Sequence, residues 1–228
     1  MKDLYFLDNE LSHLAAGEDY FDRLREMEGE VFRKYEKRIT KRFQINRKNY
    51  FIKYHGPVGW KEIFKNLLQI KTPVIGAQRE YEALRHLTDN GINCPNLKGF
   101  GKKGLNPANS SSFLITEELY ETLSLEDFFL RGLYKNLTRK QKIILIENVA
   151  ALVRTMHKSG LNHRDLYLCH IHIKDDLDFT EPELHLIDLH RAQIRSEVPQ
   201  RWIVKDLGGF FHSCFQFGFS ERDFYRFM

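Results

Sequence analysis

The chain of 228 residues is 42% hydrophobic and 29% charged, with only 6 prolines and 14 glycines, which excludes disordered, collagen-like and low-complexity classes and leaves one sizeable core or two small lobes. Its 35 basic and 31 acidic residues give a formal net charge of +4, a mild excess that suits an anionic partner. No apolar run approaches the roughly eighteen residues a membrane span requires, and Met1 to Glu10 carries acids where a signal peptide would be apolar, so a cytoplasmic location is expected. Cys94, Cys169 and Cys214 are odd in number and far apart, which argues against a disulfide framework and a thiolate zinc site and fits a reducing compartment.

From Glu30 to His55 the pattern is strand-like. Val31, Phe32 and Tyr35, then Ile39, Phe43 and Ile45, then Tyr50, Phe51, Ile52 and Tyr54 are separated by charged turns, which predicts three antiparallel strands in a meander. Arg33, Lys34, Lys37, Arg38, Lys41, Arg42, Arg47 and Lys48 crowd this region. No basic-aromatic stripe with an RNA-reading signature accompanies them, so nucleic acid is not the expected partner. Trp60, Ile63, Phe64, Leu67 and Leu68 fall on one face of a short helix ended by Lys71-Thr72-Pro73, and core packing is the expectation for that face. A second helix is expected from about Ala77 to Thr88, closed by Asn90-Gly91.

Phe113 to Glu117 reads as another strand, and Leu123 to Phe129 as a helix start with Ser124 as cap and Asp127 three residues on. Thr138 to Lys158 places Ile143, Ile144, Ile146, Val149, Ala150, Leu152, Val153 and Met156 on a broad apolar face, with Thr138 to cap it and Gly160 to end it. Two short apolar stretches, Ile171 to Ile173 and Leu184 to Leu189, precede a C-terminal region rich in Phe. The chain therefore reads as a strand-rich lobe over residues 1–118 with an N-terminal extension, followed by a helical lobe over residues 119–228.

The chemistry concentrates after the long helix. Leu161-Asn162-His163-Arg164-Asp165 is followed further along by Leu186-Ile187-Asp188-Leu189-His190. Two acids on loops beside short strands suit phosphoryl transfer: one carboxylate accepts a proton from an attacking hydroxyl while the other holds Mg²⁺ against nucleotide phosphates. The two loops resemble the H-R-D and D-F-G loops of kinases. Upstream, Tyr50-Phe51-Ile52-Lys53 resembles the V-A-I-K strand, whose lysine holds the α- and β-phosphates, and Glu80 on the second helix is placed to pair with it. Taken singly, Lys53 and Glu80 are ordinary surface charges, His163-Arg164-Asp165 a helix-ending loop and Asp188 a cap. Their order and spacing favour a kinase.

A closer resemblance lies in Gly29-Glu30-Val31-Phe32-Arg33, in Gly59-Trp60 with Glu62-Ile63-Phe64-Lys65-Asn66-Leu67-Leu68, and in Pro73-Val74-Ile75-Gly76-Ala77. It continues in Asn162-His163-Arg164-Asp165 with Cys169-His170, and in Ile187-Asp188-Leu189-His190-Arg191-Ala192-Gln193. These stretches resemble the lipopolysaccharide core heptose(I) kinases of the Kdo/WaaP family from about residue 20 to the end. The resemblance implies an α+β, protein-kinase-like two-lobe fold with a small antiparallel-sheet N-lobe and a mostly helical C-lobe. It also implies ATP-dependent phosphorylation of the first heptose of the inner core, on the cytoplasmic face of a Gram-negative inner membrane. By the same carry-over Asp165, in its His163-Arg164-Asp165 loop, is the catalytic base, Asp188 the Mg²⁺ ligand, Lys53 the phosphate-binding lysine and Glu80 its partner. The acceptor is then the lipid-linked heptose-Kdo-lipid A core, met at an anionic membrane surface on which Trp60, Phe64, Lys61, Lys65 and Lys71 are the alternative candidates to rest.

Several positions depart from ordinary kinases. Too few residues separate Asp188 from the Trp202 to Asp206 region for a long activation loop, and no A-P-E motif follows, which favours a sugar-lipid acceptor over a peptide. The turn Tyr35-Glu36-Lys37-Arg38 has no glycine, so Lys37 and Arg38 are candidates to supply phosphate-binding charge that backbone amides supply elsewhere. His170 stands where the H-R-D-x-x-x-x-N pattern has asparagine, an imidazole where Mg²⁺ prefers oxygen; it is a candidate to orient Asp165 or a phosphate. Asp206 is expected to brace the catalytic loop. Arg191, Arg195 and Arg201 are candidates to bind the acidic acceptor through guanidinium-carboxylate or guanidinium-phosphate pairs. Two competing readings stand. One is a pseudokinase or binding module, suggested by the glycine-free turn, by His170 and by a C-terminus shorter than the family's. The other is a metal-dependent hydrolase, suggested by His163, His170, His172, His185 and His190, with His170 and His172 expected on one face of a strand.

Overall fold

The computed structural model describes residues 4–17, 19–35, 37–68, 76–175 and 180–228. The chain divides into two compact units, Met1–Glu82 with Asn96–Glu118, and Ala83–Pro95 with Leu119–Met228. Among the described residues no helix is long and apolar enough to cross a membrane.

The first unit is built on six strands: β1 (Leu4–Leu7), β2 (Glu30–Tyr35), β3 (Arg38–Ile45), β4 (Lys48–His55), β5 (Leu97–Lys103) and β6 (Ser111–Glu117). They form one antiparallel sheet in the order β1-β5-β6-β4-β3-β2. The expected meander is β2 to β4. Strands β1 and β5 lack an alternating signal: β5 reads Leu-Lys-Gly-Phe-Gly-Lys-Lys, and its register is set by long-range pairing with β1 and β6. Side chains alternate across the sheet. On one face Tyr50, Ile52 and Tyr54 of β4 join Phe43, Phe113 and Ile115, and this layer packs on Leu11 and on Phe21 and Leu24 of α1 (Tyr20–Glu26). Lys53 lies between Ile52 and Tyr54 and so points to the opposite face, opposite Thr40 on β3 and Leu114 on β6.

Helix α2 (Trp60–Leu68) corrects one expectation. Ile63 is buried, yet Trp60 is 50%, Phe64 57% and Leu68 86% exposed. Positions i, i+4 and i+8 make a continuous ridge, and here that ridge faces outward with Trp60 and Phe64 stacked at 5.7 Å. The expected stop at Lys71-Thr72-Pro73 and the side chain of Leu67 lie outside the described residues. Helix α3 (Gln78–Asp89) follows the expected span; its Tyr81 stacks on Phe100 of β5 with ring centroids 4.2 Å apart.

In the second unit β7 (Thr122–Ser124) pairs with β9 (Ile171–Lys174), which pairs with β10 (Leu184–Leu186), while β8 (Leu161–Asn162) pairs with β11 (Gln193–Ile194). Leu123 therefore belongs to a strand, and α4 starts at Leu125 (Leu125–Leu130). The Ser124 hydroxyl accepts from the Asp127 N–H at 3.0 Å and donates to Asp127 Oδ2 at 2.7 Å, a cap that ends the strand and opens the helix. A short α5 (Leu133–Asn136) leads to α6 (Arg139–Lys158). Thr138 and Gln141 close a reciprocal capping box there: the Thr138 hydroxyl accepts from the Gln141 N–H and Gln141 Oε1 accepts from the Thr138 N–H.

The chain leaves α6 through Gly160 at φ 92°. Any Cβ there would collide with the Arg195 carbonyl, so glycine is what lets β8 lie against β11. The Phe-rich C-terminus forms α7 (Gln200–Cys214) and α8 (Glu221–Phe227). They interlock through Phe210–Phe227 and Phe211–Phe224 ring contacts at 4.9 and 5.1 Å.

Candidate active site

In the first unit the Lys53 ammonium lies 2.6 Å from Glu80 Oε1. Strand period and helix start explain the pairing: Lys53 is on the face of β4 away from the aromatic layer, and Glu80 is in the first turn of α3. Glu80 is 5% exposed, and a carboxylate so buried requires a cationic partner. Lys37 and Arg38 flank the β2–β3 turn, with Lys37 exposed. Its carbonyl accepts from the Gly56 N–H at 2.8 Å, which ties the turn to the end of β4.

The second unit holds the two acidic loops. His163, Arg164 and Asp165 follow β8, and Asp188 lies between β10 and β11, so the β8–β11 and β9–β10 pairings clamp both loops at both ends. Arg164 and Asp188 adopt left-handed backbone conformations, φ 71° and 58°, uncommon for residues with a side chain. Asp206 of α7, 2% exposed, accepts three hydrogen bonds: from the His163 N–H at 2.8 Å, the Arg164 N–H at 2.7 Å and His157 Nε2–H at 3.0 Å. Three donors compensate a charge that would otherwise be costly to bury.

The loops are joined by imidazoles. His163 Nε2–H donates to the Ile187 carbonyl at 3.0 Å. His170 Nδ1–H donates to the Asp165 carbonyl at 2.7 Å, and its Nε2 lies 3.7 Å from Asp188 Oδ2. The two rings stack with centroids 5.7 Å apart. Burial pushes the His163 pKa down, with the charge of His170 nearby adding to it, which favours the neutral ring. At His170 burial opposes protonation, but hydrogen bonds to Cys169 and the Asp165 carbonyl, with the nearby Asp188 charge, outweigh it and raise the pKa. His190 Nδ1–H holds Asp188 Oδ1 at 2.8 Å.

These contacts correct the expectation of a paired His170 and His172. His170 ends a 3-10 turn (Leu168–His170), whereas His172 sits in β9, bonded to the Thr122 hydroxyl at 3.1 Å and opposite His185 across the β9–β10 ladder. Among the described residues no group of three or more His, Cys, Asp or Glu side chains is gathered to hold a metal. A cation on Asp188 would complete its shell from non-protein oxygens, as Mg²⁺ does with phosphates. Asp188 offers suitable carboxylate oxygen. The imidazole of His170, already committed through Nδ1, does not suit Mg²⁺.

Arg191, Arg195 and Arg201 meet different partners. Arg191 Nη1 lies 2.6 Å from Asp165 Oδ1, so it grips the carboxylate of the loop that follows β8. Arg195 bonds the amide oxygens of Asn162 and Gln193. Arg201 is exposed on α7, its guanidinium 5.4 Å from the centre of the Trp202 ring. Sequence reasoning missed His157 and His190 as partners of Asp206 and Asp188. His157 occupies the last turn of α6, where its position before the loop was the available signal.

The lipopolysaccharide kinase (Kdo/WaaP) family model matches residues 22–228. The lipopolysaccharide core heptose(I) kinase WaaP of Escherichia coli strain K12 is 45% identical over 224 residues, covering 97% of this chain and 84% of that protein. Its namesake from Pseudomonas aeruginosa is 38% identical over 224 residues, with 97% and 84% covered. The solved structure of WaaP in complex with acyl carrier protein matches at a TM-score of 0.83 and 34% identity, covering 98% of this chain and 86% of that one. The fold is α+β, with an antiparallel sheet in the N-terminal region and a helical C-terminal region, as in that WaaP structure. With the family match over nearly the whole chain and these relatives at such identity, the chain belongs to the lipopolysaccharide kinase (Kdo/WaaP) family.

Proposed function

We propose that this chain is an ATP-dependent kinase that phosphorylates the first heptose of the lipopolysaccharide inner core, the activity in the names of its relatives. The observation that carries the reading is His170 linking the two acidic loops, through the Asp165 carbonyl at 2.7 Å and toward Asp188 at 3.7 Å. Asp165 is the base: its carboxylate takes the proton of the heptose hydroxyl as that oxygen bonds to the γ-phosphorus and the bond to the ADP oxygen breaks. Arg191 orients this carboxylate. His163 and Arg164 fix the loop through Asp206, whose role is structural.

Asp188, oriented by His190, is the residue to hold Mg²⁺. When bound, the ion supplies charge neutralisation of the nucleotide phosphates. Lys53, steadied by Glu80, binds the α- and β-phosphates, with Lys37 and Arg38 adding side-chain charge at the glycine-free turn. The first unit thus serves the nucleotide and the second the chemistry. Because the acceptor is lipid-linked, the enzyme works at the inner face of the inner membrane. The outward ridge of Trp60, Phe64 and Leu68, with Lys61 and Lys65 exposed beside it, suits an anionic headgroup layer.

The test is mass spectrometry of core oligosaccharide from cells with the gene deleted and restored. One phosphate on the first heptose should vanish on deletion and return with the gene. An unchanged core would refute the reading.

A further inference from the structure

Trp202, in the first turn of α7, is surrounded by cations. The Arg164, Arg195 and Arg201 guanidinium carbons lie 5.2, 5.6 and 5.4 Å from its ring centre, and Lys205 Nζ lies at 5.2 Å. All four are within the roughly 6 Å at which a cation feels an aromatic face. One indole satisfies one or two cations well, and four like charges crowded around it repel one another.

For three of the four, the usual compensation by a carboxylate is absent among the described residues. Arg195 bonds neutral amide oxygens, and none of Arg195, Arg201 and Lys205 has a carboxylate partner there. The first turn of α7 carries no acidic residue and no side-chain cap, so the positive end of the helix dipole adds to the field. The Trp202 indole N–H is buried with no hydrogen-bond acceptor, a donor still seeking one.

We propose that Trp202 with Arg164, Arg195, Arg201 and Lys205 forms a subsite for an acid group, carboxylate or phosphate, on the sugar acceptor. The ligand identity rests on the kinase reading above; the anion preference rests on the charges alone. Arg164 precedes Asp165 in the chain, and its left-handed backbone sends the two side chains apart, one onto Trp202 and the other to Arg191. The acid group is thereby held on the loop that carries the base, and a neutral sugar lacks that anchor. Arg201 and Lys205 are exposed and therefore reachable by a large acceptor.

The chain has two tryptophans, so a Trp60→Phe background leaves Trp202 as the sole indole. Its fluorescence is titrated in detergent with free Kdo, inorganic phosphate, neutral heptose and MgATP, and, in a detergent-free sample, with phosphatidylglycerol vesicles. A saturable change with Kdo identifies a carboxylate site and one with phosphate a phosphate site. Either should be absent with neutral heptose and weakened about tenfold or more by Arg201→Glu with Lys205→Glu. The same pair should raise the KM for core lipid about tenfold while leaving that for ATP unchanged. Arg201→Gln with Lys205→Gln gives the smaller effect in the same direction and guards against misfolding of the charge reversals. No saturable response to either acid, a response to MgATP or vesicles alone, or an unchanged acceptor KM overturns the subsite. If Trp202 responds to Kdo while no phosphate is transferred, the kinase reading fails and the subsite stands; if transfer continues with acceptor KM unchanged, only the subsite falls.

Discussion

The Lys53–Glu80 pair and the Asp165–Asp188 loops place charge by different means. Lys53 sits in an eight-residue strand whose register on β3 and β6 is continuous, and an ion pair with Glu80 holds its ammonium. The acidic loops hang on strands of two to four residues. They depend on left-handed residues, on a buried aspartate and on imidazoles reaching from one loop to the other. Regular structure tolerates loss of one contact because its neighbours hold the register. An irregular loop has no such reserve, so removing its brace is expected to cost both stability and rate.

Replacing Asp206 should therefore be the severest change. Asp206→Ala leaves the His163 and Arg164 N–H groups buried without acceptors, at about 1–3 kcal/mol each. An unfolding free energy lowered by about 3 kcal/mol in all by urea titration, with turnover lost, is expected; a loss under 1 kcal/mol would mean the loop holds itself. The next effect is acid sensitivity from the buried histidines of the second unit. Burial, with the charge of His185 nearby, pushes His172 down to about 4, and burial lowers His163 and His185 as well. Their folded pKa values lie below the ordinary value, so the unfolded chain binds more protons as pH drops below about 6.5, and stability falls with it. His170, raised, works in the opposite direction: its contribution is present below its ordinary pKa and fades as pH rises through the folded one. Between pH 7 and 5 the net loss should be about 1–2 kcal/mol by urea titration, and His172→Gln should flatten the profile.

Lys53→Ala tests the sheet side. The KM for ATP should rise about tenfold while that for core lipid holds, since the lysine touches only nucleotide in this account; a shift in the acceptor KM would break the division of labour between the units. The smallest effect belongs to α6. Thr138→Ala removes one arm of the capping box and should lower stability by about 1 kcal/mol with no change in either KM.

The same contrast explains what was legible in advance. The strand pattern along β4 and the Thr138 cap are local signals, and both elements stand where those signals put them. Periodicity on α2 identifies an apolar face but not what that face meets, and the ridge of Trp60, Phe64 and Leu68 turned outward. The left-handed backbone at Arg164 and Asp188 carries no composition signal, because neither is glycine. Arg191 read as an acceptor ligand, yet its hold on Asp165 is a tertiary contact between loops. Spacing likewise could not show that His170 would end a 3-10 turn and face Asp165 while His172 faced Thr122.

The most direct test follows the γ-phosphate itself. Purified protein is given ATP labelled on that group, Mg²⁺ and heptose-containing core lipid, and label is counted in lipid, free phosphate and protein for the native chain and for Asp165→Asn. Label should accumulate in the lipid with the native chain and fall by about 10²–10⁴-fold in the variant, with nucleotide affinity retained. Near-native transfer by Asp165→Asn, or label recovered as free phosphate and never on lipid, would contradict the account.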